Sequence, residues 1–226
     1  MPAPEHIVIA IDGPAASGKS SVARTLATRL GFNYVNTGAM YRAVTWYIVS
    51  NGVPVADTGR VQQLLHFADI RCGLENGSST ITIDGTDPTP HLVSGEVNAN
   101  VSAVSTIGEV RRLLVEKQRV YATGNNVVME GRDIGSVVFP DTDYKFYIDA
   151  SAEVRALRRQ RQGLLDSITA RDKVDSTRRN SPLTIAEDAH VIDSSNLTID
   201  GVVGEVIGRL KAKGLDVEHV WARGGN

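Results

Sequence analysis

One stretch, IDGPAASGKSS at positions 11–21, limits more than any other what this chain can fold into. Four residues separate Gly13 from Gly18, and Lys19 and Ser20 follow at once. Before it runs HIVIAI, β-branched and of strand length; after it SVARTLATRLG sets Val22, Leu26 and Leu30 at helical spacing and ends on Gly31. Strand, glycine-rich loop and helix are the setting in which such a loop cradles phosphate. The glycines let the backbone wrap closely and aim its N–H groups at an anion, and the helix N-terminus adds a favourable dipole. Gly13, Pro14, Ala15, Ala16, Ser17, Gly18, Lys19, Ser20 and Ser21 would then line a nucleotide phosphate site, expected to take ATP. Lys19 would reach the β- and γ-phosphates, and the Ser20 hydroxyl would help to hold Mg²⁺. A glycine-rich turn that binds nothing is the alternative, and this context disfavours it.

A phosphate loop after a first strand calls for a parallel sheet. Further strand candidates lie at 32–36 (FNYVN), 126–130 (NVVME), 144–149 (YKFYID) and 189–193 (AHVID), each short, apolar and followed by a polar or glycine-bearing turn. Helical stretches alternate with them, such as GEVRRLLVEKQRVYATG from Gly108, where Val110, Leu113, Leu114 and Lys117 to Tyr121 sustain the period. The expected fold is α/β: a doubly wound parallel five-stranded sheet, with ligands outside the strand C-termini. IRCGLE and STITID, flanking Asn76–Gly77, predict a β-hairpin. Residues from about 60 to about 105 are therefore expected as a small β-containing insert on a single domain spanning 1–226.

Charge and cysteine content narrow the class. A net charge of −2 argues against a protein that coats nucleic acid. Yet residues 151–180 hold eight Lys or Arg against four acids, which needs a local anionic partner or a solvated helix face. No run of about 18 apolar residues suggests a membrane span. The start, MPAPEHIVIAI, lacks a basic region before its apolar run and is read as a first strand, not as a signal peptide. A single cysteine, Cys72, suits a reducing cytoplasm. Nothing in the sequence demands more than a monomer.

Three further clusters carry chemistry. NTGAMYR (36–42) could open a helix and offer Tyr41 and Arg42 to a second anion. EGRDIGSVVFP (130–140) places Glu130 at a strand end, where an acidic side chain meets Mg²⁺ or its water, with Arg132 and Asp133 beyond the sheet edge. RDKVDSTRR (171–179) puts Arg171, Asp175 and Arg178 on one helical face, which an ordinary salt-bridge ladder explains equally well. Upstream, Arg155, Arg158 and Arg159 form either a basic lid, about 151–171, or a solvated face. Donor loop, acceptor arginines and basic lid together are the layout of a small kinase, because phosphoryl transfer needs positioning and charge neutralisation more than covalent chemistry.

These motifs, with VSAVSTIGEVR, YKFYIDAS and DAHVIDSS in the same order along nearly the whole chain, resemble bacterial cytidylate kinases, which are nucleoside monophosphate kinases. The resemblance implies ATP-dependent phosphorylation of CMP and dCMP, with Mg²⁺ and ATP on the phosphate loop. It implies that Thr37 and Asp133 face the cytosine amino group, that Ser102 and Arg111 meet the rest of the base edge, and that Arg42 and Arg132 hold the acceptor phosphate. Arg171, Asp175 and Arg178 are implied at the ribose, and Lys19, Arg132, Arg158 and Arg178 are the candidates for stabilising the transferring group. The chain departs from the family in three places: Asn36 stands where an Asp is usual, Val93 where an Arg is common in the insert, and the segment from Ser151 to Arg171 is short. A kinase for another small acceptor and a nucleotide-binding switch are the other readings. Ser102, Arg111 and Asp133 together favour a pyrimidine.

Overall fold

The computed structural model describes residues 6–161, 174 and 183–217. The proposed ribose group (Arg171, Asp175, Arg178), the later part of the expected lid and the C-terminal ARGGN lie outside the described residues.

Strand β1 (Val8–Asp12) takes the centre of five parallel strands. It pairs in parallel with β5 (Val127–Gly131) on one side and β6 (Tyr144–Asp149) on the other. Outside these, β2 (Asn33–Asn36) pairs with β5 and β7 (His190–Asp193) with β6, again in parallel. These are the five strands the sequence predicts. They are apolar runs because a parallel sheet is covered on both faces; Ile9, Ile11, Val127, Val128, Met129 and Ile148 are fully buried.

The helices divide between the two faces. Helix α1 (Lys19–Leu30) turns its Val22, Leu26 and Leu30 stripe to one face, where Val202, Val203 and Val206 of α7 (Ile199–Ala212) join it. On the other face α2 (Thr37–Ser50), α3 (Thr58–Phe67) and α5 (Gly108–Tyr121) bury Ala43, Val44, Ile48, Val61, Val110 and Leu114. Helix α4 (Gly95–Val104) packs on α2, and α6 (Ala152–Arg161) follows β6.

The hairpin forms where Asn76–Gly77 predicts it, as β3 (Ile70–Glu75) and β4 (Ser78–Ile83), with both turn residues at positive φ. It does not stand apart from the core. Strand β4 lies beside β2 through the pair Tyr34↔Ser78, so the sheet has seven strands in the order β3-β4-β2-β5-β1-β6-β7. The outer edge of β2 would otherwise expose unpaired backbone groups, and the hairpin satisfies one of them through Tyr34 N–H to Gly77 O at 2.8 Å. Ile70, Ile81 and Ile83 join the same core as α2 and α5.

Candidate active site

The C-terminal ends of the parallel strands open into a cleft of about 690 Å³. Its lining includes Ala15 to Val22, Asn36 to Ala39, Tyr41, Arg42, Val93, Ser102, Arg111, Glu130 to Asp133, Arg158, Arg159 and Arg161. Folding therefore gathers the phosphate loop, the NTGAMYR turn, the EGRD turn and the basic helix around one volume.

The phosphate loop is held from behind. Arg132 Nη1 donates to Gly13 O (2.9 Å), Lys19 Nζ to Pro14 O (3.2 Å), Arg155 Nη1 to Ala15 O (3.3 Å) and Arg158 Nη1 to Ser17 O (3.1 Å). A loop that offers its N–H groups to an anion must satisfy its carbonyls elsewhere. Here cationic side chains do so, which also raises the local positive potential. Ser194, at the end of β7, adds a bond from its hydroxyl to Ser17 O (2.8 Å), and both its Oγ and its carbonyl accept from Arg158. Arg155 and Arg158 of α6 thus grip the loop and do not form a solvated face.

Glu130, the penultimate residue of β5, is almost fully buried beside the loop. Its Oε1 accepts from the Ser20 hydroxyl at 2.9 Å, and its Oε2 lies 4.0 Å from Lys19 Nζ. A hydroxyl and a carboxylate side by side at the head of a phosphate loop are a hard-oxygen donor set. That set fits Mg²⁺, which keeps several waters and takes phosphate oxygens for its remaining positions.

The other end of the cleft is built on a buried ion pair. Asp133 does not stand out beyond the sheet edge as expected: it is 5% exposed and accepts from Arg111 Nη2, itself 3% exposed. The turn Ile134–Val138 follows it directly, and its first two N–H groups are bound by Asp12 at the end of β1. Arg111 also donates to Ser105 O (3.3 Å) and lies over the Tyr41 ring at 5.7 Å, while its Nε is buried without a hydrogen-bond partner among the described residues. Thr37 donates to Glu130 O at 2.8 Å. Arg42 is fixed by Leu92 O (2.8 Å) and Asn98 Oδ1 (2.7 Å), so residues of the expected insert aim it. Ser102 of α4 and Val93 share this wall.

Asn36 acts locally, where its Oδ1 accepts from Ala39 N at 3.0 Å and caps α2. Sequence reasoning missed two groups. Ser194 was visible only as one serine of the DAHVIDSS motif, and Asp12, the last residue of β1, had no signal because its partners lie 122 residues away or more.

The cytidylate kinase family model matches residues 9–212. The chain belongs to the cytidylate kinase family. It is 41% identical to a cytidylate kinase of Streptomyces avermitilis over 216 residues, covering 92% of this chain and 94% of that protein. It is 44% identical to one from Caldanaerobacter subterraneus (88% and 92% covered) and 43% identical to one from Streptococcus suis (88% and 94%). Cytidylate kinases are nucleoside monophosphate kinases, so the chain is an enzyme of the transferase class. None of its described helices is long and apolar enough to cross a membrane.

Proposed function

We propose that the protein transfers the γ-phosphoryl group of ATP directly to the phosphate of CMP or dCMP, giving CDP or dCDP and ADP. An acceptor phosphate oxygen attacks the γ-phosphorus in line, and the bond from that phosphorus to the β,γ-bridging oxygen breaks. No covalent enzyme intermediate is needed. The observation that carries this reading is the single cleft with a phosphate loop at one end and the buried Arg111–Asp133 pair at the other.

Each end has its chemistry. At the donor end Lys19 neutralises the β- and γ-phosphates, and Ser20 with Glu130 would hold Mg²⁺, which spreads and offsets charge on those phosphates. Arg42 and Arg132 take the acceptor phosphate, and Arg132 and Arg158, which bond the loop carbonyls Gly13 O and Ser17 O, are assigned to the charge on the transferring group. At the acceptor end the Asp133 carboxylate accepts from the cytosine amino group and repels the carbonyl that uracil carries there. Arg111 pairs with Asp133, and Thr37, Tyr41 and Ser102 complete the wall. Arg171, Asp175 and Arg178 are assigned to the ribose and phosphates by resemblance. The protein is proposed to act in the cytoplasm as a monomer.

A coupled ADP-release assay with Mg·ATP and CMP, dCMP, UMP, AMP, GMP or dTMP tests the reading. Release with CMP and dCMP far above the rest is expected; slow release indifferent to acceptor would instead mark a nucleotide switch. Asp133→Asn is expected to narrow the CMP-over-UMP preference by roughly tenfold to a hundredfold, the worth of one hydrogen bond to a charged group. An unchanged preference would mean that the base is read elsewhere.

A further inference from the structure

Asp12 has no part in the roles assigned above, yet it is the residue where the two ends of the cleft are tied together. It ends β1, in register with Gly131 of β5, and its side chain is 6% exposed. One carboxylate oxygen accepts from Ile134 N at 2.9 Å and the other from Gly135 N at 2.8 Å. These N–H groups open the turn that begins directly after Asp133. The next residue, Gly13, accepts from Arg132 at 2.9 Å. Residues 12 and 13 are therefore stitched to the segment 132–135 by three hydrogen bonds.

The choice of residue is informative. An ionised carboxylate has two acceptor oxygens that can take two adjacent N–H groups at once, whereas a protonated one, or an amide of the same shape, offers only one full acceptor. Burying a carboxylate here is costly, and Asp133 beside it adds repulsion. Burial first, and then Asp133, raise the Asp12 pKa to about 7 against the lowering effect of the two N–H bonds and Lys19. An apolar strand end would spare the fold that cost but would leave both N–H groups of the turn without an acceptor.

We propose that Asp12 is a positioning residue for the transfer: through Ile134 and Gly135 it sets the turn that carries Arg132 and Asp133 against the phosphate loop. This rests on the reading of Asp133 as the contact to cytosine. If the turn shifts, acceptor phosphate and base both move relative to the donor. A displacement of about 1 Å in such a system costs on the order of a hundredfold in rate.

Asp12→Asn and Asp133→Asn, assayed in parallel at pH 8 with CMP and UMP at saturating Mg·ATP, and with ATP varied at saturating CMP, test it. For Asp12→Asn we expect kcat/KM for CMP to fall at least about tenfold, the CMP:UMP ratio to narrow and KM for ATP to stay within about twofold. A CMP:UMP ratio that Asp133→Asn narrows and Asp12→Asn leaves alone overturns the positioning role and keeps the base reading. A ratio that neither variant moves overturns both. Should Asp12→Asn fail to fold, hydrogen exchange of the wild-type protein decides. The Ile134 and Gly135 amides are expected to exchange as slowly as those of β5, and exchange as fast as at Gly77 in the hairpin turn overturns the proposal.

Discussion

Gly13 stands so close to β6 that a Cβ built on it would lie 2.1 Å from the carbonyl oxygen of Ile148. That oxygen belongs to a central strand and cannot swing aside as the end of a side chain would. Gly13→Ala is therefore expected to lower stability by at least about 3 kcal/mol, measured as the shift in urea midpoint at constant slope. One residue earlier, Asp12 gives a pH signature. Its pKa is raised from 3.8 to about 7 on folding, chiefly by burial. Between those values the folded protein keeps a proton that the unfolded chain has lost, so this group's contribution to stability falls as pH rises and levels off above about 7. The stability of wild type relative to Asp12→Asn is expected to decline from pH 5 to pH 7 in denaturant titrations; a difference that does not change with pH would contradict the shift. Lys19 and Ser20 were legible from sequence because their chemistry is local, written in the spacing of two glycines. Asp12 was not, because a strand-end carboxylate acquires its meaning only from backbone donors that the fold brings from far along the chain. The same holds for Arg111 with Asp133: resemblance implied that both face the base, and nothing in the sequence marked them as a buried pair.

At the level of elements, α2 shows how one side chain serves a whole helix. Asn36 leaves the strand in an extended conformation and caps the helix through its side-chain oxygen, a bond that the Asp usual in the family would also make. Asn36→Ala is expected to cost about 1 kcal/mol, while Asn36→Asp, which keeps the cap, is expected to stay within about 0.5 kcal/mol in thermal or urea unfolding. Helices α1 and α5 followed from apolar periodicity, and the hairpin from Asn76–Gly77, since both signals are carried by neighbours in sequence. Helix α6 divides the two cases. Its basic spacing was plain, but a lid and a solvated face predict the same pattern. Only the bonds from Arg155 and Arg158 to the loop carbonyls set the solvated face aside.

Across the whole molecule the sheet separates two apolar cores, one under α1 and α7 and one under α2, α3 and α5. The strand candidates and the alternation with helices foretold this layering. The docking of the hairpin escaped prediction, because sheet-edge pairing depends on which edge is left open and not on the hairpin's own residues. That docking has a mechanical consequence. The parallel strands β2, β5, β1, β6 and β7 are joined by four or five paired residues at each step, whereas β4 meets β2 at the single pair Tyr34↔Ser78. A sheet with one narrow rung tears there first. In native-state hydrogen exchange the β3–β4 amides are expected to exchange through an opening that leaves the five-stranded block closed, with a lower free energy than the β1 and β5 amides. Equal values for the two sets would show the seam to be as strong as the rest. The protein would then have a preferred line of fracture, and it runs between the hairpin and the five parallel strands whose C-terminal ends carry the cleft, so the hairpin parts while the strands that build the cleft stay joined.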